Sequence, residues 1–277
     1  MAREESIWKQ FVGIAGSEDN EIDLGTAALL VAATEYPELD IDHQLAVLDS
    51  LSAGASLRLG EARDAIFCVN TLSEYLFDEV GFSGNNDDYY DPRNSFLNDV
   101  LSRRLGIPIT LSLVCIEVGK RLDIPLVGVG MPGHFLVRHR DAEDLFIDPF
   151  HRGILLSEEE CAERLGQVVG ANIAWDPRFL TPVSNRDYIA RILRNLKGIY
   201  LQRRDLQRAL TMIEQLVVLQ PQVSVERRDR GLVKYRLGRY QEARDDIQAY
   251  LESAPTDSDT EQLQRLVGQL EGLLDKD

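Results

Sequence analysis

After Leu122 the apolar period of this chain changes from helical to alternating, and that switch constrains the fold more than any other feature. Val127 and Val129 alternate with Leu126 and Gly128, and Phe135 and Val137 alternate with His134 and Leu136. A period of 2 belongs to strands. Residues 145–148 form a third short strand, and antiparallel pairing of 134–139 with 144–148 across 140–143 is the economical hairpin. On that pairing, His134, Leu136 and Arg138 share one side of their strand, as Phe146 and Asp148 share one side of theirs.

The flanking stretches are helical. Residues 22–36 are rich in Ala and Leu, the best helix formers. Asp40 or Asp42 caps a helix to about residue 57, with Leu45, Leu48 and Leu51 at helical spacing. Ile66, Val69, Leu72 and Leu76 mark the stripe of another helix, over 62–80. Residues 82–92 collect Gly, Ser, Asn and Asp, which predicts a loop. A helix over 93–105 stops at Gly106, and Pro108 suits the first turn of the next, which runs to about 122. Ser157 and Glu160 form a capping box for a helix to about 165. In the tail, Ala209, Ile213 and Pro221 recur 34 residues on as Ala243, Ile247 and Pro255. That period resembles tetratricopeptide repeats, and two such repeats need a neighbour to bury their faces. The division expected is a helical part over 1–92, a core over 93–182 and a repeat tail over 183–277.

Charge and cysteine usage narrow the function. The chain of 277 residues carries a net charge of −16. Residues 1–92 hold 19 Asp/Glu against 4 Lys/Arg, and residues 183–244 hold 14 Lys/Arg against 6 Asp/Glu. The acidic front disfavours nucleic acid as a partner. The opposite signs suggest mutual attraction or, equally, two separately solvated faces. No apolar run is long enough for a transmembrane helix, and the first residues carry no apolar signal core. Cys68, Cys115 and Cys161 are widely spaced, which fits a reducing cytosol and no disulfide framework. No cofactor is expected, since there is no Gly-rich phosphate loop.

The chemistry-bearing residues concentrate between Asn94 and Gly153. A helix, then a strand with His134, then a strand ending at Asp148, is the order of a papain-like core. There a thiol at a helix N-terminus is activated by a histidine base that a carboxylate orients. His134 and Asp148 suit the last two roles, or form a partly buried structural pair. Cys115 lies about 7.5 Å beyond Thr110 along the helix axis and shares a stripe with Leu111, Val118 and Leu122. That is a core position for a thiol. Thr110 is a second weak nucleophile or makes local backbone hydrogen bonds. Asn94, Asn98, Ser112, Arg138 and His151 are candidates to line the cleft. His134, Asp148 and His151 could in principle hold a metal, but no ligand spacing supports one.

The runs Tyr90-Asp91-Pro92 to Asn94-Ser95-Phe96-Leu97, Gly106-Ile107-Pro108-Ile109-Thr110-Leu111-Ser112, Pro132-Gly133-His134-Phe135-Leu136 and Asp148-Pro149-Phe150 resemble those of the SirB-type bacterial proteins. The resemblance covers about residues 5–255. It implies an α+β fold: a helical N-terminal region, a transglutaminase-like core with a small antiparallel sheet, and C-terminal tetratricopeptide hairpins. A similar core occurs in some eukaryotic F-box proteins. The resemblance places the family's histidine on His134, its aspartate on Asp148 and its cysteine near residues 108–110, where this chain has none. The expectation is a cytosolic protein, non-catalytic or catalytically altered, that binds a peptide or small polar ligand and contacts an unidentified protein partner through its tail. A cysteine- or hydroxyl-dependent hydrolase or acyltransferase, and a pure scaffold, are the alternatives. Oligomeric state is not legible.

Overall fold

The structure, a computed structural model, describes residues 2–61, 64–169, 173–253 and 259–274. It divides into two compact units, Met1–Gln10 with Ser17–Ile192 and Phe11–Gly16 with Leu193–Asp277.

Helix α1 (Ala2–Ala15) is divided between the units, and unit 1 continues with α2 (Leu24–Ala33), α3 (Ile41–Leu59) and α4 (Ala65–Ser73), the last continued by a π-turn over Glu74–Glu79. Asp23, Asp40 and Asp64 each accept a backbone N–H from the first turn of the helix they precede, the usual role of Asp at an N-cap. The loop after Val80 contains strand β1 (Ser83–Gly84), which pairs in parallel with β2 (Leu105–Gly106). Between them lies α5 (Leu97–Arg103). It starts later than the sequence suggests, because Pro92–Asn94 forms a separate 3-10 turn. It ends at Arg104, which takes the left-handed conformation (φ 59°), ahead of the glycine expected to stop it.

Helix α6 (Pro108–Arg121) is the spine of the unit, and all of its residues from Pro108 to Gly119 are buried. Against it lies an antiparallel sheet of order β3 (Leu126–Val129), β4 (Leu136–His139), β5 (Ala142–Asp148) and β6 (Ile154–Leu156). The hairpin forms with a tighter turn than 140–143, since β5 starts at Ala142 opposite His139, and past a bulge Arg138 lies opposite Phe146 and Val137 opposite Ile147. Strand β6 escaped the sequence reading because Ile154, Leu155 and Leu156 are too few to show a period. The Ser157–Glu160 box opens α7 (Glu158–Val169), as reciprocal bonds of 2.7 and 3.3 Å show. Cys161 and Leu165 of α7 cover Leu136 and Phe146 in an apolar cluster. Helix α8 (Asn185–Gln202) begins in unit 1 and ends in unit 2.

Unit 2 holds the hairpins α9 (Leu206–Leu219), α10 (Ser224–Arg236), α11 (Tyr240–Glu252) and α12 (Thr260–Leu274). The repeated residues Ala209, Ile213, Ala243 and Ile247 have no exposed surface, as repeat stacking requires.

Candidate functional site

Two turns aim the site. Met131-Pro132-Gly133-His134 closes with His134 N–H donating to Met131 O at 3.2 Å, with Gly133 at φ 71°. Proline then glycine of positive φ is what a type II turn requires. It delivers His134 to the head of β4. At the far end of β5, Asp148 caps a 3-10 turn over Pro149–His151 and accepts the N–H groups of Phe150 (3.2 Å) and His151 (3.3 Å) on Oδ1.

The other carboxylate oxygen, Oδ2, is shared by two imidazoles. His134 Nε2 lies 2.9 Å from it and His151 Nδ1 2.8 Å. Asp148 has no exposed surface and His134 is 4% exposed, while His151 is partly open. Burial pushes the Asp148 carboxyl up, but the hydrogen bonds and charge of His134 and His151 outweigh it, so its pKa lies below the usual Asp value. An ionised Asp148 makes both ring nitrogens donors. On His151 that agrees with its other side, where Arg164 Nη1 lies 3.4 Å from Nε2 and can only donate. On His134 it leaves Nδ1 without a hydrogen-bond partner among the described residues. In the neutral ring that nitrogen is a lone pair, held in orientation and able to accept a proton or a hydrogen bond.

The ligand atoms of His134, Asp148 and His151 all lie within 4.8 Å of one another, close enough to invite a metal reading. Arg164 argues against it. A metal on His151 Nδ1 would force the proton to Nε2, opposite an arginine that cannot accept it, and Arg164 Nε also stands 3.8 Å from Asp148 Oδ2.

The remaining candidates are dispersed. Helix α6 begins at Pro108, so residues 108–110 form its first turn, and none carries a thiol. Thr110 Oγ1 donates to Asn94 O at 2.6 Å and accepts from Ile107 N at 3.2 Å, which ties its hydroxyl into the backbone. Cys115 is 2% exposed, and burial raises its thiol pKa well above normal. Burial, with Asp148 and Glu160 nearby, pushes the Cys161 thiol up to about 12. Cys68 is buried in α4.

Two of the cleft-lining candidates are fully buried. Asn94 and Ser112 have no exposed surface, so neither lines an open cleft. Asn94 ties down the loop before it, bonding Asn85, Asp88 O and Tyr89 O. Ser112 Oγ, Asn98 Oδ1 and Arg138 Nε are buried without a hydrogen-bond partner among the described residues. Of the five cleft-lining residues, His151 is the one brought to the His134–Asp148 pair.

Sequence reasoning missed three contributors. Arg164 lies one turn after Cys161 on α7. Tyr188 and Arg191 lie on α8, fifty or more residues from the His134 turn. The Tyr188 hydroxyl donates to Ile109 O at 2.7 Å, and its ring packs edge-on against Phe135 at 4.7 Å. It thereby joins the first turn of α6 to the His134 strand. Phe150 sits edge-on to His134 at 6.3 Å, and Tyr89 sits edge-on to Phe150 at 5.9 Å. A second cavity of about 450 Å³, lined by Ile22, Glu117, Lys120, Val127, Arg140 and Asn185 among others, meets this constellation only at Tyr188 and includes neither His134 nor Asp148.

A helix-spine and sheet core bearing an oriented His–Asp pair, followed by helical hairpins, defines a class: a transglutaminase-like domain with tetratricopeptide repeats. Residues 42–194 match the transglutaminase-like superfamily and residues 196–268 the tetratricopeptide repeat. A UPF0162 protein of Xylella fastidiosa (strain 9a5c) is 39% identical over 247 residues, 88% of each chain. One of Vibrio cholerae is 28% identical over 94% of this chain and 96% of its own. The human F-box only protein 21 is 33% identical over 131 residues, 44% of this chain and 21% of its own length. No solved structure matches. The chain belongs to the UPF0162, or SirB-type, family.

Proposed function

We propose that this chain is a non-catalytic or catalytically altered transglutaminase-like protein, which binds a peptide or small polar ligand where His134 and Asp148 meet, while its repeats carry contacts to a protein partner. One observation carries the reading. The base is assembled and the nucleophile is not. His134 is oriented by Asp148 with Nδ1 left for a ligand donor, yet Cys115 is buried with its pKa raised and the Thr110 hydroxyl is bonded to the backbone. Covalent catalysis needs a nucleophile within hydrogen-bond reach of its base and a lowered or relayed proton affinity. Neither candidate supplies both. A ligand N–H or O–H directed at Nδ1 needs only the oriented lone pair.

The test pairs turnover with binding on the full chain. Amide and ester probes are expected to show no turnover that depends on His134, and peptide ligands selected on the wild type are expected to lose affinity for His134→Ala. Turnover that disappears in His134→Ala would overturn the reading in favour of an enzyme.

A further inference from the structure

Arg191 is a half-buried cation without a carboxylate partner among the described residues. It projects from α8 one turn after Tyr188, and its Nη2 donates to the carbonyl oxygens of Met131 and His134, each at 2.8 Å. Its guanidinium carbon stands 5.2 Å from the centre of the Phe135 ring. These bonds brace the His134 turn, and they use one of the guanidinium nitrogens. Nε and Nη1 have no hydrogen-bond partner among the described residues, and no Asp or Glu there lies within ion-pair distance. Other half-buried arginines differ. Arg121 meets Asp49 and Glu117, Arg194 meets Glu226, and Arg230 meets Asp246.

A guanidinium partly withdrawn from water without a counter-ion carries a cost. Burial lowers the Arg191 pKa, which is the same cost seen from the proton's side. The fold also makes room for it. A Cβ at Gly130 would come within 2.9 Å of Arg191 Nη1. The charge reaches the aromatic surround of His134, since Arg191 pulls down the phenol of Tyr89 while burial and Tyr90 push it up. Tyr89 in turn packs on Phe150, and Phe150 on His134.

We infer that Arg191 receives a carboxylate on the ligand of the His134 site, and that the ligand class is a peptide C-terminus: a carboxylate beside an amide N–H and a side chain. This rests on the binding reading above. With Nη2 given to the two carbonyls, a free Nη1–H or Nε–H of the guanidinium can donate one charge-assisted hydrogen bond to a carboxylate oxygen. His134 Nδ1 accepts the adjacent amide N–H, and Phe150 with Tyr89 offers an apolar wall for the side chain. Within the site, Asp148 and Arg164 offset each other, so one negative charge balances Arg191. Exposed Asp87 and Asp88 precede Tyr89 and disfavour multiply charged anions, which selects one carboxylate over phosphate-rich ligands.

The experiment is a titration of the full chain, followed by NMR of the His134 ring and the Arg191 Nε–H. The probes are N-acetylphenylalanine, the tripeptide Ala-Ala-Phe, and the C-terminal amide of each. The acids are expected to bind saturably and the amides roughly ten-fold or more weaker, the size of a charge-assisted pair. Arg191→Gln is expected to weaken the acids by a similar factor and leave the amides unchanged, with Arg191→Lys intermediate. Should Arg191→Gln not fold, judged by its thermal melt, the acid–amide difference in wild type and in Arg191→Lys decides. Tighter binding of the tripeptide points to peptide ends and equal binding to small acids, and both support a carboxylate site. Equal affinity for acid and amide, unchanged acid binding by a folded Arg191→Gln, or no saturation by either acid overturns the inference. If His134→Ala then still weakens whichever probe binds, the cleft reading survives and only the carboxylate falls. If it weakens none, both fall.

Discussion

Unit 2 and the His134 site of unit 1 bury charge in opposite ways. In unit 2, Glu226 is 1% exposed and is met by Arg194 at 2.9 Å and Lys197 at 2.7 Å. Asp246 is met by Arg230 at 2.5 Å and Lys234 at 2.8 Å. Each buried carboxylate there has two cations within reach, and the groups satisfy one another. In unit 1, Asp148 is held by two imidazoles and two backbone N–H groups, with Arg164 only at 3.8 Å. Among the described residues Arg191 has no acid within reach, and His134 keeps an unused nitrogen. A closed network explains itself as structure. An open one holds groups in place at a cost that structure alone does not repay. Part of the basic surplus of the repeat tail, for which the sequence suggests attraction to the acidic front or a separately solvated face, is paired inside unit 2.

The largest expected effect is at the centre of the open network. Asp148→Ala removes the acceptor of four donors and is expected to destabilise unit 1 by about 3–5 kcal/mol. Asp148→Asn is expected to retain most of that stability but to alter the chemistry. Its amide would donate where the carboxylate accepts, turn the His134 proton onto Nδ1 and remove the lone pair. Chemical denaturation and nitrogen NMR of the ring check the two halves. An Asn variant that keeps the proton on Nε2 would show that something other than Asp148 sets the tautomer.

The closed network gives a smaller number. Asp246→Ala leaves Arg230 and Lys234 facing each other, but Arg230 is 23% exposed and water relieves part of the penalty. A loss of about 1–3 kcal/mol is expected, with no change in binding at His134. A binding change in this variant would break the contrast between a structural and a functional network.

Acid sharpens it further. The pKa of Asp148 is lower in the folded protein than the ordinary Asp value of 3.8. Its contribution to stability is therefore present in full above that ordinary value, and is lost as pH falls through the lower, folded-state value. Wild type is expected to lose stability over this acid window by more than Asp148→Asn, which has no proton to take up there. Parallel acid titrations of both melts are the check, and parallel curves would remove Asp148 from the balance.

How much of this was legible follows from distance along the chain. The helix spine, the hairpin, the Ser157–Glu160 capping box and the 34-residue repeat are written in local periods, whereas the bulge between Arg138 and His139 that sets the hairpin's register is not. His134 and Asp148 were legible because the turns that aim them, Pro132-Gly133 and Asp148-Pro149, are local as well. Strand β6 and the early stop of α5 were not, since three residues hold no period and the φ of Arg104 has no residue signature. Arg164 and Arg191 were invisible for a different reason. On α7 and α8 they read as members of charged helical faces. Only the fold brings the one to His151 and the other to the carbonyl of His134.

The smallest expected effect is the one that tests whether the open network is armed. A thiol reacts as its thiolate, and an activated one owes its low pKa to an exposed, electropositive setting. Cys115 has the reverse, with its pKa raised by burial, and it lies among Leu111, Val114 and Val118, all buried on α6. Cys161, pushed up to about 12, has the same character and packs on Leu136 and Phe146. Alkylation of the folded chain with iodoacetamide near neutral pH is therefore expected to be slow at Cys68, Cys115 and Cys161, to rise only on unfolding, and to be unchanged in His134→Ala. Fast labelling of Cys115 that slows in His134→Ala would join the thiol to the base, give the open network a nucleophile, and turn the binding site back into an active site.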